Sequence, residues 1–130
     1  MIVLDASVVV ELLLNGPLAD SLRRGLAGRN ESFIVPHLLD VEVASALRGL
    51  APGLHLDSHR TGQLLSGLAS LPAVRYAHTP LLGRMWELRN NFTAYDAVYI
   101  ALAEATDSVL YTCDAKLSKG HRAKVLLITH

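Results

Sequence analysis

Four acidic residues, spread over the whole chain, carry the side chains best suited to chemistry: Asp5, Glu42, Asp96 and Asp114. Two ionised carboxylates about 4 Å apart repel each other by roughly 4 kcal/mol at an effective dielectric constant of 20. A site that collects several of them therefore needs protons or a divalent cation to neutralise the charge. Because all the ligands are oxygens, the expected ion is Mg²⁺ or Mn²⁺ rather than zinc. Such an ion can activate water to hydrolyse a phosphodiester, with no nucleophile from the protein.

Asp5 and Asp114 each follow a predicted strand. Asp5 comes directly after Ile2–Leu4, and Asp114 lies two residues beyond Val109–Thr112. Ligands of parallel α/β sheets bind beyond the carboxyl ends of the strands. If both strands lie near the sheet centre, the two carboxylates meet at the same edge. Either aspartate is explained equally well as the N-cap of the helix that follows it.

Asp96 stands in an otherwise apolar helical segment. Ten of the twelve residues at 94–105 are apolar, and the exceptions are Asp96 and Glu104. A helix that is apolar all round is expected to be buried, which would leave Asp96 little access to water. An ionised carboxylate there is costly unless it is paired, hydrogen-bonded or bound to a metal. A favourable interaction with the helix N-terminus contributes at most about 1 kcal/mol on a surface, so we favour a functional role.

Glu42 shares its predicted helix with a second acid, Asp40. Glu42 lies at one edge of the apolar stripe of this helix and Asp40 at the other, so periodicity does not choose between them. Glu42 can also be explained as a boundary residue paired with Arg48 or another base. The residues alone leave the question open.

The elements that must position these acids alternate along the chain. Strands are predicted at 2–4, 33–35, 74–76, 109–112 and 125–128. Helices are predicted at about 7–14, 18–26, 36–50, 57–68, 80–88 and 94–105, with a helical turn at 114–119. Strands separated by helices imply right-handed crossovers and a mainly parallel sheet covered on both faces. The fold class is α/β, a three-layer α/β/α arrangement of about five strands, and 130 residues fit one domain over 1–130.

The charge is balanced but unevenly distributed. The chain has 12 basic and 12 acidic residues. If the four candidate acids bind metal, the remaining 8 acids leave the rest of the chain at +4. Nine of the bases are arginine, which suits phosphate contacts. Lys116, Lys119 and Arg122 follow Asp114 with no acid among them, and they are candidate contacts to an RNA backbone.

The composition indicates a cytoplasmic protein. No run approaches the roughly 20 apolar residues that span a bilayer, and Asp5 interrupts the apolar N-terminus before it could act as a signal segment. The one cysteine, Cys113, is expected to be a packed thiol. Charged residues make up 18%, below the roughly 25% of an average domain, so a partner is expected to cover some helix faces.

Two other groups of residues are set aside. His55 and His59 are spaced for one helix face, but no third zinc ligand stands at a telling distance. Trp86, with Met85 and Leu82, is interpreted as helix packing rather than as a platform for base stacking. Aromatic residues make up only 5% of the chain, which disfavours a single-strand binder that works by stacking.

Four segments together resemble the PIN-domain ribonucleases, and more narrowly the VapC-type toxins of bacterial and archaeal toxin–antitoxin pairs. Their order, spacing and total length match across essentially the whole chain. The segments are Ile-Val-Leu-Asp-Ala-Ser at 2–7, Pro-His-Leu-Leu-Asp-Val-Glu-Val-Ala-Ser-Ala-Leu at 36–47, Thr-Ala-Tyr-Asp-Ala-Val-Tyr-Ile-Ala-Leu-Ala-Glu at 93–104 and Leu-Tyr-Thr-Cys-Asp-Ala-Lys-Leu at 110–117.

The resemblance implies specific roles. It selects Glu42 over Asp40, and it gives metal-ligand roles to all four candidate acids. Ser7, Thr93 and Thr112 fall on hydroxyl positions that border the site in such enzymes. The implied activity is a Mg²⁺- or Mn²⁺-dependent endoribonuclease that leaves a 5′-phosphate and a 3′-hydroxyl. The implied partners are a second copy of the chain and a VapB-like antitoxin that covers the active-site groove, with DNA contacts made only through the antitoxin.

Two alternative functions stay open. The first is a PIN-like protein that binds RNA or acts as a scaffold, with little or no cleavage. The second is a structure-specific DNA nuclease, although the short chain lacks the extra helical elements that such enzymes have. The RNA target, the cleavage site and the number of metal ions are not encoded in any pattern of the sequence.

Overall fold

Five parallel strands form the sheet that carries the candidate residues. The computed structural model describes residues 1–129. All neighbouring strands pair in parallel, in the order β3-β2-β1-β4-β5. Leu4 of β1 pairs with Tyr111 of β4, so these two strands end side by side. The predicted parallel sheet, with the strands before Asp5 and Asp114 near its centre, is confirmed. The strands are β1 (Ile2–Leu4), β2 (Phe33–Pro36), β3 (Ala73–Tyr76), β4 (Val109–Thr112) and β5 (Lys124–Leu127).

Six α-helices connect and cover the strands. The predicted helix at 80–88 is divided into a 3₁₀ turn at Thr79–Leu81 and a short α-helix, and the turn at 114–119 is a 3₁₀ turn at Ala115–Ser118. The other predicted helices are found within a few residues of their expected bounds. The α-helices are α1 (Ala6–Leu14), α2 (Ala19–Leu26), α3 (Leu38–Leu50), α4 (Ser58–Ala69), α5 (Leu82–Glu87) and α6 (Ala94–Thr106).

Pro36 was expected to open α3, and that prediction is wrong. Pro36 is the last residue of β2 and pairs with Tyr76 of β3. The next residue, His37, still donates its backbone N–H to the carbonyl of Tyr76 at 2.8 Å. Because the ladder continues to His37, the helix begins only at Leu38.

The helices form two groups that cover the two sides of the sheet. α1 packs against α2, α3 and α4, whereas α5 packs against α6. β1 is buried along its whole length, while side chains of the edge strands β3 and β5 alternate between half-buried and exposed. This contrast is expected, because central strands of a parallel sheet are covered on both faces.

The longest helices of the described residues, α3 and α6, have 13 residues each. No helix within residues 1–129 is long and apolar enough to cross a membrane. In α6 the residues from Ala97 to Ala103 are all buried, but Ala94 and Tyr95 in its first turn are exposed. The first turn of α6 is therefore exposed to solvent.

Candidate active site

Asp5 is the most buried of the four candidate acids, with 5% of its surface exposed. It follows β1 and caps α1, since its Oδ1 accepts from the backbone N–H of Val8 at 3.1 Å. The same oxygen accepts from the Ser7 hydroxyl at 2.6 Å, and Oδ2 accepts from the hydroxyl of Thr112. The cap explanation therefore holds, but it accounts for only one of three hydrogen bonds to this carboxylate.

Asp114 is brought to Asp5 by β4. The hydroxyl of Thr112, the last residue of β4, donates to Asp5 and accepts from the backbone N–H of Asp114 at 2.9 Å. Asp114 also caps the following 3₁₀ turn, because its Oδ1 accepts from the N–H of Lys116 at 3.0 Å. One threonine thus ties together two acids that are far apart in the sequence.

Glu42 and Asp96 lie on two different helices, α3 and α6. Glu42 lies on α3, and its Oε1 accepts from the hydroxyl of Tyr99 on α6 at 2.6 Å. Asp96 lies in the first turn of α6, where its backbone N–H donates to the hydroxyl of Thr93, the N-cap, at 3.2 Å. Asp96 is half-buried, so the prediction that it has little access to water is wrong. The first turn of α6 protrudes beyond the part of the helix that packs in the core.

The second acid of α3, Asp40, has a different environment. Arg75 of β3 forms a two-pronged ion pair with Asp40, at 2.8 and 2.9 Å, and also donates to the carbonyl of Leu68 at 2.9 Å. Asp40 is therefore neutralised and links α3 to β3. Glu42 has no ion pair with a basic residue among residues 1–129, so the alternative that it pairs with Arg48 or another base is wrong.

The four acids lie close enough to influence one another. Burial raises the pKa of Asp5, and the charge of Asp114 adds to this, against the hydrogen bonds from Ser7, Thr112 and Val8. Burial also raises the pKa of Glu42, with further contributions from the charges of Asp96 and Asp5.

Asp96 and Asp114 also influence each other. Burial raises the pKa of Asp96, and the charge of Asp114 adds to it, while Lys116 acts in the opposite direction. Each of the four acids is thus coupled electrostatically to at least one other. The structure collects the predicted set at the carboxyl end of the sheet.

The group is open rather than a closed cage. Among residues 1–129, no three side chains of His, Cys, Asp or Glu converge closely enough to hold an ion as they stand. The sequence suggested tighter convergence, and mutual repulsion of uncompensated carboxylates opposes it. The donor set still fits Mg²⁺ or Mn²⁺, because it is all oxygen and carries excess negative charge. Mg²⁺ commonly keeps several waters and takes only one or two carboxylates directly, which suits an open group.

The three basic candidates separate in space. The Lys116 ammonium lies 3.7 Å from Oδ2 of Asp114, at the acidic group. Lys119 is exposed at the end of the 3₁₀ turn. Arg122 instead precedes β5, and its backbone N–H donates to Glu104 at 2.9 Å, near the far end of α6 from Asp96. Arg122 and Glu104 also line a cavity of about 500 Å³ that contains none of the candidate acids.

Two aromatic residues differ from the sequence interpretation. Trp86 was interpreted as helix packing, but 67% of its surface is exposed, and the Arg89 guanidinium lies 4.6 Å from its ring centroid. Tyr99 was counted only as an apolar residue of a core helix. Its position three residues after Asp96 was the available signal, because residues at that spacing share a helix face.

The residues set aside stay apart from the acidic group. His55 and His59 are both exposed and belong to no three-residue metal-binding group within residues 1–129. Cys113 is half-buried, and its backbone N–H donates to the Ser7 hydroxyl at 3.0 Å. Its role here is to hold Ser7 against Asp5.

Residues 2–122 match the model of the PIN domain. A VapC ribonuclease of Mycobacterium bovis is 42% identical to the chain over 124 residues, which cover 95% of this chain and 94% of the relative. Ribonuclease VapC12 of Mycobacterium tuberculosis is 38% identical over 130 residues, which cover 98% and 99% of the two chains.

Solved structures share the fold. Protein PAE2754 from Pyrobaculum aerophilum superposes with a TM-score of 0.72 at 22% identity, covering 95% of this chain and 81% of the other. A chain of VapBC2 from Rickettsia felis, solved bound to a promoter DNA fragment, superposes with a TM-score of 0.72 at 13% identity, covering 99% of this chain and 100% of the other. On the sequence match over nearly the whole chain, this protein belongs to the PIN-domain family and groups with the VapC ribonucleases.

Proposed function

We propose that the chain is an endoribonuclease toxin that hydrolyses RNA phosphodiester bonds at the group formed by Asp5, Glu42, Asp96 and Asp114, with Mg²⁺ or Mn²⁺. The observation that carries the proposal is the meeting of these four acids at one end of the sheet. The Thr112 hydroxyl bonds both the Asp5 carboxylate and the Asp114 backbone, and the Tyr99 hydroxyl, one helical turn after Asp96, bonds Glu42. Only Asp114 lies within ion-pair distance of a base among the described residues. A divalent cation would neutralise the acids and supply an activated water for attack on phosphorus.

The residues of the chain have separable tasks in this proposal. The acids provide oxygen ligands and hold the negative charge that attracts the cation. Ser7 and Thr112 fix the Asp5 carboxylate through hydroxyl donors that leave its charge intact. Thr93 sets the start of α6 and with it the position of Asp96. Lys116, beside Asp114, is placed to contact a phosphate of the substrate backbone.

The nature of the substrate is tested with matched nucleic acids. Purified chain is incubated with single-stranded RNA, and with single-stranded and duplex DNA of the same sequence, in Mg²⁺. We expect cleavage of the RNA alone, with a 5′-phosphate and a 3′-hydroxyl at the cut. Cleavage of duplex DNA would favour the DNA-nuclease alternative, and RNA retention without cutting would favour the scaffold alternative.

The family and the VapBC2 structure that shares the fold support a proposal on partners. We propose that a VapB-like antitoxin blocks the acidic group, that the toxin forms a homodimer, and that any DNA contact is made through the antitoxin. The place of action is the cytoplasm, where RNA substrate is available. Light scattering of the purified toxin gives its mass, and addition of a VapB-like antitoxin that binds it should abolish RNA cleavage. A monomer, or a complex that still cleaves, would contradict this part of the proposal.

A further inference from the structure

The Glu42 carboxylate is held by one side chain that neither the family motifs nor the sequence interpretation assigned to the site. The Tyr99 hydroxyl donates to Oε1 of Glu42 at 2.6 Å. The Tyr99 ring is buried, with 2% of its surface exposed, so the hydroxyl has little freedom to move. Tyr99 follows Asp96 by three residues on α6. One helix therefore supplies both an acid of the group and the donor that orients an acid on another helix.

The chemistry of this donor matters because it is neutral. An arginine beside Glu42 would cancel its negative charge, as Arg75 does for Asp40 two residues earlier on α3. A tyrosine hydroxyl occupies one carboxylate oxygen, leaves the charge in place and leaves Oε2 free.

We propose that Tyr99 is a positioning residue that holds the Glu42 carboxylate toward Asp96 for binding of the divalent cation. This inference rests on the proposed function of the acidic group. Groups that hydrogen-bond a metal ligand fix its orientation, and their loss typically lowers metal affinity 10- to 100-fold. Because Glu42 is only one of four acids, we expect loss of the Tyr99 hydroxyl to lower metal affinity about tenfold, at the lower end of that range.

A purely structural role predicts something different. A buried tyrosine hydroxyl needs an acceptor, and Glu42 could simply be that acceptor. Removal of the hydroxyl would then lower stability without a specific loss of cation affinity. The two explanations are separated by a measurement of cation binding rather than of folding.

The direct test compares wild type, Tyr99→Phe and Tyr111→Phe. Tyr111 is the second buried tyrosine, and its hydroxyl has no hydrogen-bond partner within the described part of the chain. Free Mn²⁺ is followed by electron paramagnetic resonance, and folding by thermal melting without metal. We expect Tyr99→Phe to bind Mn²⁺ about tenfold more weakly and to regain RNA cleavage as Mn²⁺ is raised. Tyr111→Phe should bind Mn²⁺ as wild type does.

A double-mutant cycle tests whether Tyr99 acts through Glu42. In the Glu42→Gln background, Tyr99→Phe should cause no further loss of Mn²⁺ affinity. Unchanged affinity in Tyr99→Phe, or an equal loss in both backgrounds, would overturn the inference while leaving the proposed function intact. A wild type that neither binds Mn²⁺ nor cleaves RNA would remove the proposed function and the inference with it.

A spectroscopic measurement tests the same contact without altering Tyr99. The chain has four tyrosines, so a ¹³C label on the ring carbon that carries the hydroxyl gives four signals. Phe variants of the other three assign the Tyr99 signal by elimination. We expect Mg²⁺ to shift it in wild type and not in Glu42→Gln. A Tyr99 signal that does not shift when Mg²⁺ is added would overturn the inference, even if Tyr99→Phe fails to fold.

Discussion

At the scale of single residues, the acids of the site differ in how they are held. Asp5 is buried and accepts from two hydroxyls and one backbone N–H, whereas Asp96 is half-buried at the open end of a helix. Substitutions of groups around Asp5 should therefore affect stability and activity together. Substitution of Asp96 should abolish activity while leaving the protein folded. Asp5 thus links the site to the core, while Asp96 belongs to the site.

Thr112→Val tests the support of Asp5. Thr112 is fully buried, and its hydroxyl bonds both the Asp5 carboxylate and the Asp114 backbone. Valine keeps the shape but leaves a buried carboxylate oxygen and an N–H without this partner. We expect a loss of about 2 kcal/mol in the free energy of unfolding, together with reduced cleavage. Urea denaturation gives the first value, and a variant as stable as wild type would contradict this account.

At the scale of elements, α3 presents two acids with opposite tasks. Asp40 pairs with Arg75 and joins the helix to β3, whereas Glu42 faces Tyr99 and the other acids. We expect Glu42→Gln to abolish RNA cleavage and Asp40→Asn to leave it near the wild-type rate. Initial rates of cleavage at equal protein concentration measure the difference. Equal losses in the two variants would show that the position of the charge on α3 is unimportant.

The meeting of four acids from four elements also predicts a pH dependence of stability. Burial raises the pKa values of Asp5, Glu42 and Asp96 in the folded protein, and neighbouring acids add to this. A carboxyl whose pKa is raised on folding binds protons more tightly in the folded state. Its contribution to stability therefore declines as pH rises from its unfolded pKa, 3.8 for aspartate and 4.5 for glutamate, toward the folded one. The pKa of Glu104 is lowered in the folded protein, so its contribution to stability is lost only as pH falls below the unfolded value of 4.5.

We expect metal-free wild type to lose unfolding free energy as pH rises from the ordinary carboxyl pKa values of 3.8 and 4.5 toward the raised values of the folded protein, because the acids become charged without compensation. Asp96→Asn removes one of the repelling charges, so it should lose less over the same interval. At pH 7, Mg²⁺ should stabilise wild type by mass action, and Asp96→Asn less. Urea titrations in EDTA and in Mg²⁺ provide the four curves. Parallel pH profiles for the two proteins would contradict the repulsion.

At the scale of the whole molecule, the parallel sheet explains which basic residues reach the site. All five strands are parallel, so residues that follow β1 or β4 lie at the carboxyl end of the strands and residues that precede β5 lie at the amino end. Lys116 follows β4 and lies beside Asp114, whereas Arg122 precedes β5 and lies beside Glu104. Closeness in sequence to Asp114 therefore did not place all three basic candidates together.

This separation gives a prediction for RNA binding. Lys116→Ala should weaken binding of single-stranded RNA and reduce the salt dependence of the affinity by about one counterion. Arg122→Ala should change neither. Fluorescence anisotropy with labelled RNA at several salt concentrations, in EDTA to prevent cutting, measures both quantities. An Arg122→Ala effect as large as that of Lys116→Ala would place the RNA path elsewhere on the surface.

The sheet could be predicted from the sequence because apolar runs between helical segments imply parallel strands. The positions of Asp5 directly after β1 and of Asp114 two residues after β4 follow from the same pattern, whereas Glu42 was chosen over Asp40 only by the family resemblance. Contacts between elements were harder to predict. Tyr99 looks like a core residue until α3 is known to bring Glu42 to it, and Trp86 looks buried until the outer face of α5 is known to be uncovered. Such features depend on how helices pack, which no spacing within one segment reveals.

We expect the four acids to hold a cation that is needed to cut RNA, and Asp96 is the acid whose loss should least disturb the fold. The most direct measurement is digestion of total cellular RNA by purified chain in Mn²⁺ or in EDTA, with Asp96→Asn beside wild type and circular dichroism to show that both are folded. We expect discrete cuts by wild type in Mn²⁺ only, and none by Asp96→Asn. Cutting that persists in EDTA, or in folded Asp96→Asn, would show that the four acids do not cut RNA through a bound cation.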